Sequence, residues 1–355
     1  MSINKITSLD DLLREAVRRG GTDLHLATGA RPKVRIMGDL VELDYEVITD
    51  LTASNLFLPM LDALDRRSFD SNGQIDTSYT LNGVGRFRIN LFKQKGASSG
   101  VFRVLPNAVP EYADLGLPMS TLHLATKKRG LVLITGATGS GKSTTLAAFI
   151  KYINDNQAKH IVTLEDPIEY LHWHKRSIVS QREVGKDVKT FNDGLRAALR
   201  EDPDVILVGE MRDRETMEIA LQAAETGHLV LSTLHTIGAS ESVLRILDSF
   251  PVEAQAQIRS QLALTLEGVI SQQLLPTSKG YVLGYEILYK TKVMQEYIRN
   301  NDIYGLTEYL GTTEAMDLGM CKMDYTLLEL ASDGKISRDT AVSYAIDSRK
   351  MSAML

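Results

Sequence analysis

The stretch Gly136-Ala-Thr-Gly-Ser-Gly-Lys-Ser143 decides the fold of this chain. It fits G-x-x-x-x-G-K-[ST], the loop that binds phosphate between a strand and a helix in nucleoside triphosphatases. Leu131-Val-Leu-Ile-Thr135 precedes it and is typical of a buried parallel strand. Residues 143–153 follow it with apolar side chains at helical spacing. The flanks therefore predict strand, loop and helix, whereas an ordinary glycine turn with an exposed lysine would not require them.

This loop predicts ATP and Mg²⁺ as cofactors. Its glycines allow a tight curl in which backbone N–H groups point at an anion, and the helix start adds a partial positive charge. We expect Lys142 to reach the β- and γ-phosphates and the Ser143 hydroxyl to ligate Mg²⁺. The residues expected to contact the nucleotide are Gly136, Ala137, Thr138, Gly139, Ser140, Gly141, Lys142, Ser143 and Thr144.

Length and composition restrict the possible class of protein. The 355 residues are enough for two domains, and the net charge of −5 gives no support to a general nucleic-acid-binding surface. A single cysteine, Cys321, excludes both an intrachain disulfide and a four-cysteine zinc site. We find neither a signal-peptide pattern nor an apolar run of the ~18 residues that a bilayer span requires. We therefore predict a cytoplasmic protein that reaches a membrane only through a partner.

The order of the elements predicts two domains. Residues 1–108 indicate a small α+β domain, in which one helix follows Ser8, another covers 53–64, and the strands alternate as in an antiparallel sheet. Residues 109–118 are rich in proline and indicate a linker. Residues 119–355 alternate apolar strands with helices, which predicts a mainly parallel sheet with helices on both faces and a helical part over 293–354.

Two acidic motifs follow strands of this sheet. Val205-Ile-Leu-Val208 leads to Glu210, and a carboxylate there can orient and activate the attacking water, unless it is an exposed acid at a strand end. An aspartate usually precedes this glutamate, but here Gly209 replaces it. We therefore expect Glu165, in the box Thr163-Leu-Glu-Asp-Pro-Ile-Glu169, to supply the extra acid near Mg²⁺, the alternative being a charged turn.

Histidines supply further candidates. His228 precedes and His235 follows another strand, and a residue at a strand end can contact a γ-phosphate or link two carboxylates. Ordinary core or surface histidines are an equal alternative for this pair. We interpret His172-Trp-His174 as an exposed loop rather than as a metal site.

Arginines on strands of the first domain form the last group of candidates. Arg86, Arg88 and Arg103 lie in segments predicted as strands. In phosphoryl transfer, an arginine from a neighbouring subunit can stabilise developing charge. Their spacing alone favours the simpler interpretation, in which they are exposed on a sheet face.

Together these motifs resemble the PilT family of type IV pilus ATPases, within the wider GspE/PulE secretion-ATPase superfamily. The resemblance covers nearly the whole chain and includes the departure at Gly209. The first domain contributes Gly20-Gly-Thr-Asp-Leu-His-Leu26 and Gly85-Arg-Phe-Arg-Ile-Asn90. The matching boxes are 136–143 (Walker A), 163–169 (acidic), 202–213 (Walker B) and 227–236 (histidine).

The resemblance implies a PAS-like domain joined to a RecA-like P-loop ATPase domain, assembled as a ring-shaped homohexamer. ATP would lie between the two domains, and hydrolysis would turn the inner-membrane platform protein of the pilus machinery. The protein would then be peripheral at the inner face of the cytoplasmic membrane, with no direct contact to nucleic acid. The implied catalytic residues are Glu210, Glu165 beside Mg²⁺ or water, His228 and His235 coupling the γ-phosphate to domain movement, and Arg88 and Arg103.

Within the superfamily, the short chain with one cysteine resembles the retraction branch. Retraction proteins tend to carry Ala-Ile-Arg-Asn-Leu-Ile-Arg-Glu near the C-terminal end, and only Ile298 and Arg299 of the corresponding stretch 293–300 fit it well. We predict an ATPase that drives pilus retraction and twitching motility. The alternatives are a motor of the same superfamily for protein secretion or DNA uptake, a nucleotide-gated scaffold that modulates a partner motor, and, more weakly, a DNA helicase.

Overall fold

The computed structural model describes residues 3–106, 108–278 and 280–355, and the chain divides into two compact units, Met1–Ala108 and Val109–Leu355. The other four positions fall within the predicted domain ranges 1–108 and 119–355 and lie outside the described residues. The segment 109–118, predicted as a linker, belongs to the second unit. Its apolar side chains explain this, because Tyr112 and Leu117 are buried in the hydrophobic core of that unit.

Within the described residues, the first unit is an antiparallel sheet of six strands with three α-helices packed on one face. The strand order is β3-β2-β1-β6-β5-β4. The helices are α1 Leu9–Arg18, α2 Asp50–Phe57 and α3 Ala63–Asn72; the strands are β1 Asp23–Ala27, β2 Lys33–Ile36, β3 Asp39–Glu42, β4 Gln74–Leu81, β5 Gly85–Gln94 and β6 Ala97–Val104.

Capping residues set the helix boundaries of this unit. The Ser8 side chain accepts the Asp11 N–H at the start of α1, as the sequence predicts. The helix predicted over 53–64 is instead two helices. A short 3₁₀ turn containing Pro59 follows α2, and the Asp62 carboxylate then caps the start of α3.

The second unit is built on a mainly parallel sheet, with strand order β13-β12-β7-β11-β10-β8-β9. Among the described strands of this second sheet, only the β12–β13 pair is antiparallel. Every residue of β7, β10 and β11 is buried, so both faces of the sheet are covered, as predicted. The strands are β7 Gly130–Thr135, β8 His160–Glu165, β9 Ile178–Glu183, β10 Val205–Val208, β11 Leu229–Leu234, β12 Leu266–Thr277 and β13 Gly280–Tyr289.

Eleven α-helices of the described chain surround and extend this sheet. Six of them, α9 to α14, lie between Lys292 and Met354, where the sequence predicts a helical part over 293–354. The helices are α4 Lys142–Asn156, α5 Phe191–Ala198, α6 Arg214–Glu225, α7 Ala239–Asp248, α8 Val252–Thr265, α9 Lys292–Arg299, α10 Ile303–Tyr309, α11 Thr313–Asp317, α12 Met323–Ser332, α13 Arg338–Tyr344 and α14 Ser348–Met354.

The parallel pairing brings four strand ends to one side of the sheet, which we call the carboxyl edge. Thr135 of β7 pairs with Leu234 of β11, and Val208 of β10 pairs with Leu164 of β8. Side chains that follow these strands therefore lie in one row. Ligands of open parallel sheets bind at such an edge.

A buried carboxylate joins two helices to β13. Glu286 is 4% exposed and accepts the N–H of Ala239 at 2.6 Å and the N–H of Met323 at 3.1 Å. These are the first residues of α7 and α12, and neither helix has a capping side chain of its own. Burial raises the pKa of Glu286 although the two hydrogen bonds lower it. The strand thus fixes the starts of both helices.

We expect Glu286→Ala to lower the free energy of unfolding by about 2–6 kcal/mol, because two buried N–H groups lose their acceptor at about 1–3 kcal/mol each. Glu286→Gln retains one acceptor oxygen and should lose about half as much. Guanidinium titration measures both variants, with Glu296→Ala on the exposed surface of α9 as the control. A wild-type midpoint for Glu286→Ala would contradict the capping role.

Candidate active site

The loop between β7 and α4 has the backbone that the sequence predicts. Gly139 and Gly141 have φ angles of 81° and 91°, which favour glycine. At Gly136 the constraint is a close approach, since an added Cβ would lie 2.3 Å from the carbonyl oxygen of Gln272 on β12. The Gln272 side chain also donates to Thr145 Oγ1 at 2.9 Å. Strand β12 therefore packs directly against the loop and the start of α4.

Several features of this loop fit a phosphate group. Helix α4 begins at Lys142 without a side-chain cap, so its first backbone N–H groups can face an anion. Within the described residues, the buried Ser140 Oγ has no hydrogen-bond partner. Ser143, the second residue of α4, is exposed. A terminal phosphate would provide acceptors for these donors.

The Lys142 side chain is hydrogen-bonded to the loop and lies in the field of two carboxylates. It is 9% exposed, and its Nζ donates to the carbonyl oxygens of Gly136 at 2.8 Å and Ala137 at 2.9 Å. Burial lowers the pKa of Lys142, whereas the charges of Glu210 and Glu169 raise it. The charges of both carboxylates therefore act on the same ammonium group.

Glu210 and His235 meet at the carboxyl edge. Glu210 follows β10, its side chain is 13% exposed, and its Oε2 lies 2.6 Å from Arg212 Nε and 3.4 Å from His235 Nε2. His235 directly follows β11, which lies between β7 and β10 in the sheet. The structure thus brings His235 and Glu210 together beside the loop. Arg212, whose side chain is 74% exposed, is not among the residues predicted from the sequence.

A close backbone contact explains the glycine before Glu210. The Gly209 N–H donates to the Leu164 carbonyl at 2.8 Å. A Cβ at position 209 would lie 3.1 Å from that oxygen and 3.5 Å from Glu165 Cα. The aspartate usual at this position would therefore crowd β8.

The structure places the two glutamates of the acidic box, Glu165 and Glu169, differently. Glu165 ends β8, and its Oε1 accepts from Thr163 Oγ1 at 2.6 Å and Gln181 Nε2 at 3.1 Å. Three strand spacings separate β8 from β7, about 14 Å. The loop after β8 returns toward α4, where Tyr170 Oη lies 3.0 Å from Thr144 Oγ1. Glu169, in this returning loop, is the acid whose charge acts on Lys142.

The structure does not bring His228 to this edge. His228 precedes β11, and its Nδ1 lies 3.0 Å from the Ala223 carbonyl oxygen near the end of α6. Its own carbonyl accepts from Gly130 at the start of β7. A strand of six residues, about 20 Å long, separates it from His235. The two ends of a parallel strand lie at opposite edges, so this position is at odds with a γ-phosphate contact.

The candidate arginines lie on the sheet of the first unit. Arg103 Nε donates to Asp23 Oδ1 at 2.9 Å, and Arg88 Nε lies 3.6 Å from Asp76 Oδ1. Arg86 donates to Ser78 Oγ at 2.7 Å. Arg88 and Arg103 face each other directly across β5 and β6.

The segment His172-Trp-His174 is only in part the exposed loop that the sequence predicts. Trp173 is 79% exposed and His174 is exposed, but burial lowers the pKa of His172 to about 4. His174 Nδ1 accepts the N–H of Val179 at 3.1 Å, which gives this ring a structural contact. Among the described residues, no group of three or more His, Cys, Asp or Glu side chains is arranged to hold a metal ion.

His172 predicts a specific pH dependence of stability. Because its folded pKa is lowered, its contribution is complete above its ordinary pKa of 6.5 and is lost as the pH falls toward about 4. Over that window the wild type should lose up to about 3 kcal/mol more than His172→Gln. Unfolding titrations at pH 4 to 7 measure this difference, and His174→Gln, which keeps His172, should retain the wild-type slope. Parallel curves for wild type and His172→Gln would contradict it.

Comparison with known proteins shows the family of this chain. Residues 2–307 match the model of the family described as type II/IV secretion system protein. The chain is 41% identical to the type IV pilus retraction ATPase PilT of Pseudomonas aeruginosa, over 94% of this chain and 96% of that protein. It is 43% identical to a twitching motility protein of Neisseria gonorrhoeae, over 90% of this chain and 86% of that protein.

A solved structure is similar over nearly the full length. It is the crystal structure of the pilus retraction motor PilT with bound ADP, which superposes with a TM-score of 0.92 at 45% identity. The superposition covers 97% of this chain and 99% of that one.

Proposed function

The chain belongs to the type II/IV secretion system protein family and is an ATPase of the pilus-retraction type, and we propose that it works as a homohexameric motor for type IV pilus retraction and twitching motility. The observation that carries this proposal is the row at the carboxyl edge, where the charge of Glu210 acts on Lys142 and Glu210 lies 3.4 Å from His235. Such a row combines phosphate binding with a carboxylate for water activation.

The two compact units correspond, in this proposal, to two functional domains. The second unit is a RecA-like P-loop ATPase domain, because its parallel sheet carries the phosphate loop at the carboxyl edge. The first unit is a PAS-like domain that completes the nucleotide site within the ring. Its antiparallel sheet with helices on one face is compatible with that assignment.

Residues 136–144 hold the phosphates of ATP. Lys142 exchanges its two carbonyl acceptors on the loop for phosphate oxygens, and the uncapped N–H groups of α4 bind the same anion. Mg²⁺, when bound, neutralises charge on the β- and γ-phosphate oxygens. Ser143 and Glu165 would hold it, with Glu169 of the acidic box as a further acid. The Thr163 and Gln181 contacts orient the Glu165 carboxylate.

Glu210 orients and deprotonates the attacking water. Its side chain is 13% exposed, and β10, which it follows, is separated from β7 only by β11. His235, between the loop and Glu210, connects the state of the γ-phosphate to that carboxylate. Arg88 and Arg103 of a neighbouring subunit stabilise the charge that develops on the transferred phosphoryl group.

Retraction requires a mechanical target, which we propose is the inner-membrane platform protein of the pilus machinery. The motor works in the cytoplasm, peripheral at the inner face of the cytoplasmic membrane. No helix among the described residues combines the length and the apolar character that crossing a bilayer demands.

Glu210→Gln should retain ATP binding and lose at least about 100-fold in turnover, because the amide cannot accept the proton of the water. Steady-state ATPase rates and fluorescent-nucleotide binding measure the two effects. Glu225→Gln, which is at the end of α6 and keeps a hydrogen bond to Gln261, is the matched control and should be unaffected. Unchanged turnover in Glu210→Gln would rule out its catalytic assignment.

Arg88→Ala should lower turnover by about 10³-fold or more in pure rings, as expected when an arginine that stabilises phosphoryl transfer is lost. Mixed with Lys142→Ala subunits it should regain activity. Each Lys142→Ala subunit supplies an intact arginine to a neighbour that can still bind ATP. If Arg88→Ala loses only ring assembly, measured by light scattering, the arginine is structural.

A further inference from the structure

One face of the first sheet carries charged residues instead of helices. Leu24, Val34 and Phe102 point into the core with the helices, so the residues that alternate with them point to the opposite face. Asp23 lies in the middle of this face, directly between Arg35 on β2 and Arg103 on β6.

The carboxylate of Asp23 is the buried member of a pair with Arg103. The Asp23 side chain is 10% exposed and that of Arg103 is 65% exposed. Asp23 Oδ1 accepts from Arg103 Nε at 2.9 Å, and Oδ2 accepts from Thr22 Oγ1 at 2.8 Å. Burial alone would raise the pKa of Asp23, but the bonds from Arg103 and Thr22 outweigh it and lower the pKa. The carboxylate is thus ionised and fixed at both oxygens.

This contact leaves the outer part of Arg103 available to a ligand. Among the described residues, the two terminal nitrogens of Arg103 make no hydrogen bond, and only its Nε is used. A contact at Nε restricts the rotamers of the arginine side chain before any ligand arrives. Its terminal nitrogens then keep the fork geometry that matches phosphate oxygens.

The neighbouring arginine lacks such an anchor. Arg88 lies 3.6 Å from Asp76, and both side chains are well exposed, so this pair contributes little. Arg88 also lies directly opposite Arg103, and two like charges in that position destabilise a sheet. The negative charge of Asp23 offsets this repulsion at Arg103.

We infer that Asp23 is a positioning residue for Arg103, which it holds with its terminal nitrogens turned outward toward the nucleotide phosphates of a neighbouring subunit. This inference rests on the proposed function, in which Arg103 acts across subunits. The competing explanation is an ion pair that only stabilises the first unit. The two explanations predict different turnover rates in assembled rings when Asp23 is changed.

The test uses full-length Asp23→Ala, Asp23→Asn and Arg103→Ala rings. Asp23→Ala should assemble, keep its KM for ATP and lose about 10- to 100-fold in kcat, because the arginine is misplaced only where it meets developing charge. Asp23→Asn keeps an acceptor for Arg103 Nε and should recover part of the rate. Asp23→Ala combined with Arg103→Ala should be no slower than Arg103→Ala alone, since the two residues act as one unit.

Mixed rings distinguish positioning from general damage. Asp23→Ala subunits should regain activity with Lys142→Ala subunits, which carry an intact Asp23–Arg103 pair, but not with Arg103→Ala subunits. The matched control is Glu15→Ala on α1. Glu15 has a similar exposure, 13%, and pairs with Arg18 and Arg19 on the helical side of the sheet. It should keep the wild-type rate.

Three results would overturn the inference: wild-type kcat in Asp23→Ala, an additive loss in the double variant, or assembled Asp23→Ala rings that Lys142→Ala does not rescue. If Asp23→Ala does not assemble, Asp23→Asn is carried through the same assays and the same three results decide. A wild-type rate in Arg103→Ala would instead refute the proposed role of Arg103. Loss of activity in Arg103→Ala with none in Asp23→Ala refutes the positioning role alone.

Discussion

The parallel register of β7, β11, β10 and β8 is the constraint on which the candidate site depends. It places the residues after four strands in one row, although they are separated by up to about a hundred positions in the sequence. Close backbone contacts then fix the details. Gly136 allows β12 to approach the loop, and Gly209 allows β8 to approach the strand that ends at Glu210. A side chain at position 136 would clash with β12, and one at position 209 would crowd β8.

Short sequence patterns correctly predicted the parts of the fold that depend on neighbouring residues in the chain. The strand, loop and helix around Lys142 and the carboxylate at Glu210 follow from glycine spacing and apolar runs, and both are present. Strands β12 and β13 were not predicted, because buried polar residues such as Gln272 interrupt the apolar pattern. The proline-rich segment 109–118 indicated a linker, but Tyr112 and Leu117 are buried in the second unit by contacts distant in sequence.

In the candidate site, too, contacts between residues distant in sequence could not be predicted from local patterns. His228 and His235 were both selected from the sequence, although in a parallel sheet only the residue that follows its strand lies at the ligand-binding edge. The fold separates them, since only His235 follows β11 on the side of the phosphate loop. Similarly, nothing in the acidic box distinguished Glu165 from Glu169. The returning loop, fixed by Tyr170 against Thr144, brings the charge of Glu169 to Lys142. The Asp23–Arg103 contact joins residues 80 positions apart and has no local signature.

The central claim is that this chain hydrolyses ATP as an assembled ring. The most direct measurement is the ATPase rate per subunit of the wild-type protein over a range of protein concentrations, with light scattering on the same samples. We predict a rate that requires Mg²⁺ and rises in parallel with the fraction of hexamer. A stable ring that binds ATP without turnover would contradict this account and would favour a nucleotide-gated scaffold.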